Sequence, residues 1–190
     1  GNDAFTVDTG CDGGTITIEG YAKNPGKLPV LDCGESGSTL RFLLPVVGAL
    51  GVDATFLLEG RLPQRPLSPL WEEMERMGCY LSRPTENTVR CTGKLKPGEY
   101  KIDGSISSQF ITGLRFATSL IDGTCDLLIT GKIESKPYLQ MTEDTMAVFQ
   151  APKYRSPGYV RIEGDWSNGA FWLAAKALRE ASLAVSSSVP

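Results

Sequence analysis

CGESGSTLRFLLPVVGAL (33–50) and DGSISSQFITGLRFATSL (103–120) hold the same place in two copies of one pattern, and that repetition decides the fold. Gly34 pairs with Gly104 and Leu50 with Leu120, an offset of 70 that carries position 34 to 104. After one inserted residue, Gly60-Arg61 pairs with Gly131-Lys132 and Arg65-Pro66 with Lys136-Pro137. Each copy thus places a cation before a proline at the same point. A third, partial copy opens at Ile162-Glu163-Gly164-Asp165, ahead of an apolar run from Ala170 to Leu178.

Outward from these stretches, the first copy reads as an alternating series. Leu28 to Asp32 is a predicted strand that delivers the chain to a glycine turn, and a helix follows from about Ser38. Leu40, Leu43, Leu44, Val47 and Leu50 give that helix its apolar face, with Pro45 as a kink and Gly51 as its stop. Ala54 to Leu58 reads as a strand, Glu59 to Pro66 as a loop and Pro69 to Met77 as a helix ending at Gly78; short strands near Cys79–Ser82 and Thr88–Cys91 close the unit. The second copy repeats the order with a strand to Asp103, a helix over 107–120, a strand over 125–130 and a helix to about Phe149. The expected fold class is α/β with mixed sheets, built from repeated β-α-β-α-β-β units whose apolar helices pack inside. Thr15 to Glu19 alternates as a strand, and residues 1–12 read as the end of an earlier unit.

Composition narrows the chemistry. At 190 residues, 41% hydrophobic and 22% charged, the chain can bury a core. No run approaches the ~18 apolar residues of a membrane span, and Gly1-Asn2-Asp3-Ala4 lacks the basic and apolar parts of a signal peptide, so no membrane partner and a cytoplasmic location are expected. Five cysteines without a CxxC spacing, and no histidine, disfavour a disulfide scaffold, a zinc site and Ser-His catalysis. Neither a metal nor a cofactor is expected. A net charge of −3 argues against a nucleic-acid partner bound by bulk electrostatics, while leaving room for a local anion site.

Such a site has a place in the pattern. A glycine-rich turn between a strand end and a helix start gathers free backbone N–H groups at the positive end of the helix dipole. Gly34-Glu35-Ser36-Gly37-Ser38-Thr39 does this ahead of Arg41, and Gly104-Ser105-Ile106-Ser107-Ser108-Gln109 adds hydroxyls and an amide. Helix capping alone selects one such serine, but not Ser107, Ser108 and Gln109 in a row. The repeated loops bring Arg61 and Arg65 in one copy, and Lys132, Ser135 and Lys136 in the other, to the carboxyl ends of predicted strands. Arg65, stiffened by Pro63 and Pro66, can grip a carboxylate or phosphate through two N–H groups. GxxG at Gly34–Gly37 is not a dinucleotide fingerprint. Asp103 and Asp165 are turn formers before they are acid/base groups. The cysteines read first as buried small hydrophobes, with Cys33, beside the first turn, as the one candidate for alkylation, and Trp71, Trp166 and Trp172 read as packing residues.

LDCGESGSTLRF (31–42), EGRLPQRPLSPL (59–70), IDGSISSQFITGL (102–114), GKIESKPYLQMT (131–142) and IEGDWSNGAFWLAA (162–175) together resemble the 5-enolpyruvylshikimate-3-phosphate synthase family, the 3-phosphoshikimate 1-carboxyvinyltransferases of the shikimate pathway. The resemblance spans roughly residues 15–180. It implies two domains of three β-α-β-α-β-β units each, closing on shikimate-3-phosphate and phosphoenolpyruvate. It also assigns substrate-binding roles by motif. Gly37 matches the glycine that lets phosphoenolpyruvate, or glyphosate, approach the backbone, and Arg65 and Gln109 match phosphoenolpyruvate contacts. Ser107, Ser108 and Ser135 match shikimate-3-phosphate contacts, and Tyr138 the residue packed on the substrate ring. Glu35 and Phe42 stand where some members carry Asn and Pro.

On the same grounds, residues 1–164 are expected to form a substrate-binding domain of about two units, with residues 165–190 as the hinge and first helix of a second domain that would be the chain's partner. No catalytic residue is expected within this stretch, because the family's N-terminal Lys-Ser-Arg group and its acid/base carboxylates fall outside it; the stretch alone is expected to be inactive. The sister family, UDP-N-acetylglucosamine enolpyruvyl transferase, usually carries a cysteine shortly before its Arg-Pro, and residues 61–64 contain none. A non-catalytic phosphometabolite-binding module of the same fold is the other alternative. An RNA-phosphate cyclase relative is disfavoured by the missing histidine and the acidic balance.

Overall fold

The computed structural model describes residues 5–8, 15–18, 28–133, 135–149, 151–155, 157–161 and 166–186, with backbone alone at 5–8, 15–18, 166–168 and 180–186. In chain order the elements begin with strands β1 (Phe5–Asp8), β2 (Thr15–Ile18) and β3 (Val30–Asp32), helix α1 (Gly37–Leu50), strand β4 (Ala54–Leu57) and a 3-10 turn over Leu62–Gln64. Helix α2 (Leu70–Arg76) and strands β5 (Cys79–Ser82), β6 (Thr88–Gly93) and β7 (Gly98–Asp103) follow. Then come α3 (Ser108–Thr118), β8 (Cys125–Thr130), α4 (Lys136–Val148), β9 (Tyr159–Arg161) and α5 (Trp166–Ser186). Two compact units divide the chain: residues 24–155, and residues 1–23 together with 156–190.

In the larger unit the first copy forms the expected β-α-β-α-β-β series. Its sheet has the order β3-β4-β6-β5, with β3 and β4 parallel and the other pairs antiparallel. A parallel pair needs a crossover, which α1 provides. Ser36 starts that helix: its Oγ accepts the Thr39 N–H at 3.2 Å. Gly51 stops it in the left-handed region at φ 64°, with its N–H on the Gly48 carbonyl and the Val52 N–H on the Val47 carbonyl. The second copy repeats the crossover. Strands β7 and β8 pair in parallel from Gly98 on Cys125 to Asp103 on Thr130, with α3 between them.

Helices α1 and α3 pack face to face. Leu40, Leu44 and Val47 meet Phe110, Ile111, Leu114 and Ala117 in one core. The crossing is tight because α3 offers no side chain there: a Cβ on Gly113 would lie 2.2 Å from the Arg41 carbonyl oxygen. Pro45, four residues beyond Arg41, has no N–H for that carbonyl, so the glycine backbone approaches where the helix ladder is interrupted.

Some expectations fail for physical reasons. Among the described residues the second copy shows no closing hairpin of its own. Where the first copy has CYLS and TVRC, the second has Pro152, Pro157 and Gly158, which cannot sustain a ladder, and β9 pairs in parallel with β1 in the smaller unit, in the order β2-β1-β9. Helix α4 is not an inner helix: among its described residues Thr142 alone is buried, and Tyr138 and Met141 are exposed. Trp71 packs half-buried under the Arg83 guanidinium, but Trp172 is 79% exposed. Asp165 and the opening of the third copy, Ile162–Asp165, lie outside the described residues, as does the side chain of Trp166.

Candidate functional site

Both copies turn sharply at the end of their first strand, and an aspartate makes each turn. Asp32 Oδ1 accepts the Gly34 N–H at 2.9 Å, and Asp103 Oδ1 accepts the Ser105 N–H at 2.9 Å and its hydroxyl at 2.7 Å. These two bonds from Ser105 hold the Asp103 carboxyl below its ordinary value. Asp103 is a turn former, occupied as an acceptor. Two residues past Ser105, the Ser107 Oγ accepts the Gln109 N–H at 3.2 Å and starts α3. Ser135 heads α4 differently. It sits in the left-handed region at φ 58°, a conformation uncommon outside glycine, and its side chain makes no capping bond.

The turns of the second copy open into one pocket of about 750 Å³. Ser107, Ser108, Gln109, Ser135 and Tyr138 all line it, so five of the seven sequence-predicted positions converge. Phe42, Ile106, Phe116 and Met141 form its apolar side, Phe42 and Phe116 meeting edge to face at 6.0 Å. Gly37 and Arg65 lie outside that lining but against each other. A Cβ on Gly37 would stand 3.1 Å from Arg65 Nη1 and 3.8 Å from Arg41 Nη1. The Arg65 loop is anchored by the buried Leu62 and Pro63 and by an Arg83 hydrogen bond to the Pro63 carbonyl at 3.2 Å. It is tied to the first glycine turn by the Glu59 N–H on the Gly34 carbonyl at 2.8 Å.

Arg41 joins the two groups, and the sequence reading did not place it in the site. Its Nη1 donates to Gln109 Oε1 at 2.8 Å, its Nη2 donates to the Pro66 carbonyl at 3.3 Å, and its guanidinium lies 5.1 Å from the centre of the Phe110 ring. Its Nε is buried without a partner. Burial first, and the Arg65 charge second, lower its pKa from the ordinary value. The signal that was present is spacing: Arg41 stands four residues past Gly37, on the same face of a helix.

Among the described residues no carboxylate lines the pocket, and neither Arg41 nor Arg65 forms an ion pair. Two cations, several hydroxyls and an amide without a countercharge suit an anion. Such groups can bind and orient an anion. Cys33 is no nucleophile either, because burial, helped by Asp32, pushes its thiol up to about 11. Groups of three or more metal-binding side chains are absent among the described residues, and no helix searched is long and apolar enough to cross a membrane.

The chain is similar to known proteins along most of its length. The family model for EPSP synthase (3-phosphoshikimate 1-carboxyvinyltransferase) matches residues 8–188. A 3-phosphoshikimate 1-carboxyvinyltransferase of Clostridium novyi is 35% identical over 182 residues, 87% of this chain and 42% of the relative. That of Clostridioides difficile is 38% identical over 183 residues, 88% of this chain and 41% of the relative. The chain thus spans less than half the length of these curated relatives. Among solved structures, an EPSP synthase from Acinetobacter baumannii matches the fold with a TM-score of 0.65 at 19% identity, covering 90% of this chain and 46% of that one. With a family match across nearly the whole chain, and relatives of one name aligned along it, the chain belongs to the EPSP synthase (3-phosphoshikimate 1-carboxyvinyltransferase) family.

Proposed function

We propose that this chain supplies one side of an enolpyruvyl transferase site, in an enzyme that moves the enolpyruvyl group of phosphoenolpyruvate to the 5-hydroxyl of shikimate-3-phosphate on the route to the aromatic amino acids. The observation that carries the reading is the convergence of Ser107, Ser108, Gln109, Ser135 and Arg41 in one pocket with no carboxylate among its described lining residues. In this reading Ser107, Ser108 and Ser135 hold the shikimate-3-phosphate anion, with Tyr138 against its ring. Gly37, Arg65 and Gln109 hold phosphoenolpyruvate.

Catalysis in such an enzyme protonates the methylene of phosphoenolpyruvate, adds the substrate hydroxyl to the resulting cationic carbon with loss of the hydroxyl proton, and expels phosphate as a methyl proton is removed to restore the double bond. Those steps need an acid and a base, and among the described residues lining the pocket there is no carboxylate to serve as either. The chain alone is therefore expected to bind and not to turn over. In this reading residues 1–164 belong to the substrate-binding domain and residues 165–190 to the hinge and first helix of a second domain of a cytoplasmic enzyme; the greater length of the relatives is what supports a further domain.

Titration with shikimate-3-phosphate, followed by NMR at the backbone amides of Ser107, Ser108 and Ser135, tests the assignment. Shifts confined to those turns, and lost in a Ser107→Ala/Ser108→Ala variant, are expected. Millimolar ligand that moves none of them would count against the substrate.

A further inference from the structure

We infer that Arg41 is a positioning residue for anion binding: it fixes the side-chain amide of Gln109 with its NH2 toward the pocket and holds the loop that carries Arg65. The inference rests on the phosphoenolpyruvate reading given above. A guanidinium has N–H donors and no acceptor, so the atom of Gln109 that meets Arg41 Nη1 at 2.8 Å is the amide oxygen. The amide nitrogen is left as the group that can face a ligand, and it has no partner among the described residues. Donors are what an anion requires.

The second contact works on the other anion-binding residue. Nη2 meets the carbonyl of Pro66, the residue after Arg65, at 3.3 Å. One planar fork therefore spans α1, α3 and the loop after β4, with the Phe110 ring against its face. Lysine cannot reproduce this, because a single ammonium has neither the fork nor the flat face. The unpartnered buried Nε agrees with the assignment. A buried N–H left without an acceptor is costly, and it persists where the remaining contacts determine the position.

The test compares Arg41→Lys, which keeps the charge, with Arg41→Met, which keeps only the stem. The side-chain amide signals of Gln109 are read by NMR in the ligand-free chain and during titration with phosphoenolpyruvate. Both variants are expected to move the Gln109 signals before ligand is added, and both are expected to weaken phosphoenolpyruvate binding by a similar factor of about ten or more. Wild-type affinity in Arg41→Lys would show that charge alone matters and would overturn the inference. So would Gln109 signals unmoved in either variant. The ligand-free measurement stands even if the wild-type chain binds no phosphoenolpyruvate, an outcome that would remove the proposed substrate and leave the geometry of Gln109 decided. If neither variant folds, the unsubstituted chain still decides: a nuclear Overhauser contact between the Arg41 guanidinium protons and the Gln109 side chain is expected, and its absence overturns the assignment.

Discussion

At Gly37 the atoms nearest an added methyl group belong to the ends of two arginines and to Leu62. Flexible ends can give by a few tenths of an ångström, so Gly37→Ala is expected to cost less than about 1.5 kcal/mol of stability. The displaced group is the Arg65 guanidinium, so phosphoenolpyruvate binding is expected to weaken severalfold while thermal unfolding barely moves; titration and calorimetry on the same variant check both halves. Thiol chemistry gives a second prediction. Alkylation of the native chain at pH 8, mapped by mass spectrometry, is expected to label half-buried Cys125 ahead of Cys33, Cys79 and Cys91, all of them buried. The Cys33 thiol rises on folding from 9.0 to about 11, so the folded state holds its proton more tightly. That contribution to stability is complete below pH 9 and is lost as pH rises toward 11. Cys33→Ala is expected to flatten the fall in melting temperature across that window. Single positions were legible where the row exceeds what a turn and cap need, as with Ser107, Ser108 and Gln109, which the structure brings into one pocket. Arg41 was not, because the acceptor that gives it meaning lies 68 residues away on a crossing helix.

The crossing of α1 and α3 is where element geometry and sequence meet most sharply. Gly113→Ala would drive a methyl group into a backbone carbonyl, which cannot rotate aside, and is expected to cost about 3 kcal/mol or more as the helices separate. Denaturant unfolding measures this, against Ser36→Ala as a milder reference that loses a helix cap worth about 1 kcal/mol. Helix ends and strands were legible because their signals are local: a serine cap, a left-handed glycine, alternation in 15–19. The 3-10 turn over Leu62–Gln64 read as plain loop, since Pro63 fits either and the buried Leu62 that pins it depends on the finished core. The outward position of α4 was hidden for a similar reason. Tyr138 and Met141 look like a core face until the pocket gives them another use.

Across the larger unit, the two copies are stitched by polar groups as well as by the core. Buried Glu73 on α2 takes two hydrogen bonds from Arg76 and one from the Lys101 N–H on β7, a strand of the other copy. Glu73→Leu would leave that N–H unpaired and is expected to cost about 1–3 kcal/mol, read as a lower denaturant midpoint. The repeat made the general architecture legible, but it could not reveal where β9 goes, because strand pairing is settled by which edge is free. One feature of the crossing reaches further. The carbonyl of Arg41 seats Gly113, and the side chain of Arg41 organises the site, so opening the core and dismantling the site are a single event. Amide hydrogen exchange should register this. Saturating the pocket at ten times Kd is expected to slow exchange about tenfold at Leu44 and Leu114, deep in the helix pair, by the same factor as at Gln109. Slowing at Gln109 alone would mean that the site opens on its own while the helices stay shut.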